Sequence, residues 1–158
     1  MIFVSVGTTN FPFYRMNTLV ESISSMHPNE KVIYQHGFTP FVCSSTMICS
    51  KQFLPFQLMQ KYLKSARIVI LQGGPATIFQ SIAYGKTPLV LPRQKIYHEH
   101  VNDHQVKFSK KMDQMKKVIC INSSKNLFLH IAALPHRQKR EKNNLKILIK
   151  YLNEIINI

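Results

Sequence analysis

Tryptophan is absent from the 158 residues, while glycine occurs only 5 times, acidic residues 7 times and cysteine 3 times. Each shortage excludes something. Cys43, Cys49 and Cys120 are odd in number and lack close paired spacing. No disulfide framework, zinc cluster or redox pair is therefore expected, and three reduced, partly buried thiols are. There is no Gly/Ser linker, low-complexity tract or internal repeat to mark a second folded domain. No stretch approaches ~18 consecutive apolar residues, which excludes a membrane-spanning helix. A secretory signal needs an apolar core of roughly 7–15 residues, and Ile2 to Val6, interrupted by Ser5, falls short of it, so the start reads as the first strand of a cytoplasmic domain. With 45% hydrophobic residues spread along the chain, disorder is excluded and one globular domain with a real core is expected. The scarcity of acid set against 21 Lys and Arg gives a formal charge of +14. That excess suits nucleic acid, an anionic membrane surface or a phosphorylated small molecule, and composition does not choose among them.

What is present alternates. Ile2 to Val6 reads as a strand ending in the turn Gly7-Thr8-Thr9-Asn10. From Pro12, apolar residues at Phe13, Met16, Leu19, Val20, Ile23 and Met26 predict an amphipathic helix. Pro28-Asn29 ends it, Lys31 to His36 is a second strand, and Gly37 to Ser45 a long loop. Met47 to Phe53 is a short strand, and Pro55 suits the first turn of a helix reaching about Ser65. Arg67 to Leu71 is apolar without alternation, as in a parallel strand covered on both faces. Gln72-Gly73-Gly74 leads to Pro75 at a first helical position, and that helix runs until Gly85 stops it. Pro88 to Pro92 is the next buried strand. Tyr97 to Lys111 is a His-rich loop turning into a helix, Val118 to Ile121 a last strand, and a helix follows near Ser124 to Leu134. Such alternation predicts a doubly wound α/β domain, a parallel sheet with helices on both faces over residues 1–135, with ligands beyond the carboxyl ends of the strands. After Pro135 the composition shifts. His136 to Lys142 is strongly basic, and Leu145, Leu148, Leu152 and Ile155 form one stripe of an amphipathic helix over 136–158. That helix suits packing on its own domain, on a partner subunit or on an anionic membrane.

Two turns are placed for chemistry, because each follows a strand and precedes a helix: Gly7-Thr8-Thr9-Asn10 and Gln72-Gly73-Gly74-Pro75-Ala76-Thr77. Helix N-termini present unpaired N–H groups, glycines let a phosphate approach the backbone, and threonine hydroxyls add donors, so a diphosphate is a natural ligand. Neither turn has the Gly-Lys-Ser/Thr ending of a Walker loop or the three-glycine dinucleotide fingerprint, and a Gly-Gly turn is also an ordinary structural device. The segment from Arg93 to Gln105 concentrates polar side chains after a buried strand, at the edge of the expected cleft. His100 and His104 lack the Glu of the H-E-x-x-H pattern, so no metal site is expected; carboxylate, amide and imidazole groups suit a hydroxyl-rich ligand, and a solvated loop is the alternative. There is no nucleophile elbow, and the basic residues form no nucleic-acid-binding motif.

Four blocks carry a resemblance: Ile2 to Thr8, Gln72 to Ile78, Ala83 to Arg93, and Glu99 to Gln105. In this order and spacing the chain resembles the PssE-type polysaccharide glycosyltransferase subunits, which correspond to the carboxyl-terminal, donor-binding half of family 28 glycosyltransferases of the GT-B fold. It is similar also to the catalytic subunit of the two-part enzyme that adds N-acetylglucosamine to dolichol-linked sugar. The resemblance implies a split enzyme. One half holds a UDP-sugar; a membrane-associated, PssD-like subunit supplies the other half and the lipid-linked saccharide acceptor, at the inner face of the membrane, in capsular or exopolysaccharide synthesis. It places Gly7, Thr8, Thr9, Gly73, Gly74, Pro75, Ala76 and Thr77 around the diphosphate, Gln80 at the ribose where relatives carry Glu, and Phe53 and Leu54 beside the uracil. Glu99 and His100 become the catalytic candidates, with Arg93, Asp103, His104 and Gln105 facing sugar and phosphates. Gln72 stands where relatives carry His. The implied reaction is an inverting transfer without metal or cofactor, the leaving diphosphate being stabilised by helix N-termini and hydroxyls, and the base coming from the partner. The runner-up is a non-catalytic donor-binding or enhancer subunit, and a basic nucleic-acid-binding α/β protein is a third reading. The sugar, linkage and acceptor are not encoded in any legible way.

Overall fold

The structure is a computed structural model that describes residues 1–121 and residue 131. Six strands form one sheet, every neighbouring pair parallel: β1 (Ile2–Ser5), β2 (Val32–Gln35), β3 (Ile48–Lys51), β4 (Ile68–Leu71), β5 (Leu89–Val90) and β6 (Ile119–Cys120). Their order across the sheet is β3-β2-β1-β4-β5-β6, so the winding reverses between β1 and β4. A ligand crevice forms at such a reversal, because the loops leaving the two strands diverge to opposite sides.

The register sorts the apolar residues into two layers. Ile2 and Val4 of β1, with Val32, Tyr34, Ile68, Ile70 and Leu89, face α1 (Tyr14–Met26), whose Met16, Leu19, Val20 and Ile23 are buried. Phe3, Ile33, Val69, Leu71 and Val90 face the other way, onto Leu63 of α2 (Phe56–Ser65), Ile78 and Ile82 of α3 (Pro75–Ala83) and Met112 of α4 (His104–Gln114). Residues of β1, β2 and β4 are buried throughout, which is why their sequences run apolar instead of alternating. Each large side chain so buried contributes roughly 1.5–3 kcal/mol, and the summed burial holds the layers together.

Several boundaries differ from expectation. β5 covers two residues, not five, although the Leu91 N–H still donates to the Leu71 carbonyl. The β2–β3 connection is a long loop, as expected, in which Phe41 packs edge-on against Tyr34. Pro55 sits at the N-cap of α2, one position before the first turn. Met26, the last residue of α1, is exposed. Cys49, on the edge strand β3, is exposed instead of partly buried, whereas Cys43 and Cys120 are half-buried, and all three are free thiols. Burial, with Asp113 adding to it, pushes the Cys120 thiol up to about 11, which keeps it protonated at neutral pH. The α3 stop is as expected: Gly85 has φ +74°, its N–H donates to Ile82 O, and the Lys86 N–H reaches back to Ser81 O. The helix expected near Ser124 to Leu134, apart from the buried Ile131, and the basic helix over 136–158 lie outside the described residues. No helix among the described residues is long and apolar enough to cross a membrane.

Candidate functional site

The turns after β1 and β4 emerge side by side at the winding reversal. Gly7 has a positive φ of +73°, and a Cβ there would overlap the Gln72 side-chain amide, whereas one at Gly74 would stand 3.3 Å from Gln72 Nε2. Gly73 answers to a different neighbour: a Cβ there would stand 2.7 Å from Gln105 Cβ and 2.8 Å from Ser109 Oγ of α4. The tight Gly-Gly turn is thus set by the approach of α4 on one side and of Gln72 on the other. Pro75 occupies the first position of α3, and the first intrahelical bond runs from Ile78 N to Gly74 O. Helix geometry leaves the Ala76 and Thr77 N–H groups without an intrahelical acceptor, at the positive end of the α3 dipole. Pro75 and Ala76 are exposed there, as is Thr8, while Thr9, Thr77 and Gln80 are half-exposed.

Arg93 is fully buried. Its Nε donates to Gln72 Oε1 at 2.5 Å, Nη1 to the carbonyls of Phe11 at 2.7 Å, Pro12 at 3.3 Å and Glu99 at 3.1 Å, and Nη2 to Val6 O at 3.1 Å. The guanidinium also lies over the Phe13 ring, 4.6 Å from its centroid. Burial pushes its pKa down to about 10, against the pull of Glu99, so it stays cationic at neutral pH. Facing the donor was the expectation for Arg93; instead it is enclosed and bound to three loops, because a planar five-donor fork is the side chain best able to gather that many carbonyls.

Glu99 also differs from expectation. It is 3% exposed, and its carboxylate accepts a forked pair from Arg15 of α1, Nε to Oε1 at 2.8 Å and Nη2 to Oε2 at 2.5 Å, plus the Gln94 N–H at 3.0 Å. Arg15 further donates to Pro92 O at 2.8 Å. A carboxylate so engaged tethers the Arg93–His100 segment to α1 and is not disposed as a general base. His100 stays at the crevice: half-buried, its ring stacks on Phe11 at 6.0 Å, and Nδ1 accepts the Asn102 N–H. Asp103 accepts from the Lys95 N–H at 2.8 Å, holding the 3-10 turn at Lys95–Tyr97, and the Gln105 side chain accepts from the Arg93 N–H at 3.2 Å. His104 begins α4 and is exposed.

On the far side of Gly7, Phe53 and Phe38 form an exposed edge-to-face pair, 41% and 47% accessible with centroids 5.3 Å apart. Beside it the Leu54 N–H donates to Gln35 Oε1, while Gln35 Nε2 donates to Ser5 Oγ and Gly7 O, each at 3.3 Å. Gln35 thereby links the first turn to the aromatic pair. Sequence reasoning missed Gln35, Phe38 and Arg15. A polar residue closing an apolar strand is a signal for Gln35; nothing local marks Arg15, whose partner is 84 positions away. Among the described residues, no group of three or more His, Cys, Asp or Glu could hold a metal ion. An open depression lined by Gln57, Gln60, Lys61, Lys64 and Ser65 belongs to the surface of α2, with no carboxyl-end loop in its lining.

The sheet order, the paired turns at its reversal and the helices on both faces define a Rossmann-like domain of the kind that forms half of a GT-B glycosyltransferase. Residues 1–152 match the glycosyltransferase family 28 C-terminal domain, and the chain belongs to that family. Its fold is similar to the crystal structure of the glycotransferase of kitacinnamycin, with a TM-score of 0.66 at 15% identity over 84% of this chain. The match covers 34% of that longer chain. No curated protein sequence matches.

Proposed function

We propose that this domain binds a UDP-sugar and acts as the donor half of an inverting hexosyltransferase, completed by a membrane-associated, PssD-like subunit that brings a lipid-linked saccharide acceptor. Family membership puts the chain in sugar transfer. The observation that carries the donor side is the convergence, at the winding reversal, of the Gly7 turn and the α3 N-terminus with its Ala76 and Thr77 N–H groups. There an anion is held by fixed dipoles, and the same groups stabilise a departing diphosphate without a metal. The exposed Phe38–Phe53 pair supplies an apolar platform for a base, linked through Gln35 to the Gly7 turn, and Gln80 lies on α3 for the ribose. The separate subunit follows from the PssE-type resemblance. Capsular or exopolysaccharide synthesis and a position at the inner membrane face follow from the PssE-type resemblance.

The engaged Glu99 carboxylate favours a second reading, a donor-binding or enhancer subunit whose partner supplies the reacting groups. Titration calorimetry of the full chain with UDP, UDP-glucose, UDP-galactose, UDP-glucuronate and UDP-N-acetylglucosamine, with and without EDTA, tests the donor site. Selective, EDTA-insensitive binding is expected. Absence of binding both by the chain and by its co-expressed complex would remove the proposal. Turnover lost in the complex on His100→Ala, with assembly intact, would set the first reading above the second.

A further inference from the structure

We propose that Arg93 is a positioning residue for the donor's diphosphate, acting through Gln72: it fixes the Gln72 amide so that the side-chain NH2 group points between Gly7 and Gly74, a donor held ready for a phosphate oxygen. The inference rests on the donor reading above and adds to it the device that orients this group.

The orientation follows from elementary chemistry. A primary amide has an acceptor end and a donor end, and a glutamine in a solvated turn interconverts them by rotation. Arginine has donors only. With Arg93 Nε 2.5 Å from the Gln72 side chain, the carbonyl end must face the guanidinium and the NH2 end must face away. Facing away means facing the two glycines: Nε2 would collide with any Cβ at Gly7 and stands 3.3 Å from the Cβ position of Gly74. The Gly7 turn thus admits this NH2 group by carrying no Cβ, and the Gly-Gly turn borders it on the other side. Arg93 itself has no freedom to move, being fully buried and bound to carbonyls of Val6, Phe11, Pro12 and Glu99. The hydrogen bond to a cation also polarises the amide and strengthens its N–H as a donor. The buried charge thus reaches the crevice as an oriented dipole.

A purely structural Gln72, present only to satisfy Arg93, predicts the opposite response to one substitution. Gln72→Glu would give Arg93 an ionic partner of the same shape, so a structural role expects unchanged or higher thermal stability and unchanged ligand binding. An amide that donates to phosphate expects stability to hold while affinity for UDP at pH 8 falls tenfold or more, since a donor is replaced by a like charge. Uridine, which carries no phosphate, should bind the variant within twofold of the wild-type chain, as followed by NMR titration. Gln72→Met, which keeps the volume and loses the NH2 group, should weaken UDP several-fold and leave uridine alone. Arg93→Lys, which retains charge without the fork, should weaken UDP more than uridine where it folds. The proposal is overturned if Gln72→Glu binds UDP like the wild-type chain, or loses UDP and uridine in equal proportion. Wild-type protein that binds neither compound would instead remove the donor reading, and this inference with it.

Discussion

The two ends of the parallel sheet each carry an arginine–glutamate pair, and they use it differently. At the amino end, Arg67 precedes β4 and donates to Glu30 at 2.8 Å, while the Met1 amino group approaches the other carboxylate oxygen. Those groups tie neighbouring strand starts together, and the Arg67 Nε is left buried without a hydrogen-bond partner. At the carboxyl end, Arg15 and Glu99 bind a loop to a helix, and the neighbouring Arg93 gathers backbone carbonyls of two loops and the Gln72 amide oxygen of a third. The amino end is closed by its pair. The carboxyl end binds the carbonyls of Val6, Phe11, Pro12 and Glu99 in the same kind of network, and the Ala76 and Thr77 N–H groups at the start of α3 have no intrahelical acceptor. A helix start with such unspent N–H groups is predisposed toward an anion.

The comparison breaks most severely at Arg93. Arg93→Met should strand the carbonyls it now binds and lower unfolding free energy by about 4 kcal/mol, read from urea denaturation, with loss of UDP binding where the fold survives. Gly73→Ala is next: a methyl group against Gln105 and Ser109 should push α4 away, costing about 1–3 kcal/mol and weakening UDP binding, which separates tight packing from simple turn flexibility. Glu99→Gln keeps the shape and removes the charge facing Arg15, a loss of roughly 1–2 kcal/mol by thermal denaturation, with UDP affinity of the isolated chain changed less than threefold because the carboxylate is a tether. Glu30→Gln should cost about 1 kcal/mol at pH 7 and leave UDP binding untouched.

The amino-end pair also predicts a pH dependence. Burial alone would raise the Glu30 pKa, but the hydrogen bond from Arg67 and the Met1 amino group outweigh it and hold it below its ordinary 4.5. A depressed carboxylate stabilises the fold above its unfolded pKa, and that contribution disappears as pH falls through the folded value. Stability curves of wild type and Glu30→Gln should therefore converge below pH 4.5 and separate above it. The smallest effect on stability is expected at Phe38→Ala, under about 1 kcal/mol for an exposed ring pair, while UDP and uridine affinity fall together.

Much of the architecture was legible along the chain. Continuous apolar runs at Ile2 to Val4 and Ile68 to Leu71 mark strands covered on both faces, and Pro75 with Gly85 brackets α3, because backbone sterics act over a few residues. The two turns were recognisable from their position between strand and helix. The roles of Arg93 and Glu99 were not. Both stand in a polar segment that reads as ligand-facing, yet one is enclosed by carbonyls 81 to 87 positions away and the other is held by Arg15.

Local chemistry, then, determined by itself the strand and helix order, the parallel sheet and the two glycine turns, since apolar period, proline and glycine act within a few residues. Which polar groups look into the crevice was decided by tertiary structure alone. Burial of a charge requires partners from every direction, and only the assembled sheet brings Val6, Phe11, Gln72 and Glu99 around one guanidinium.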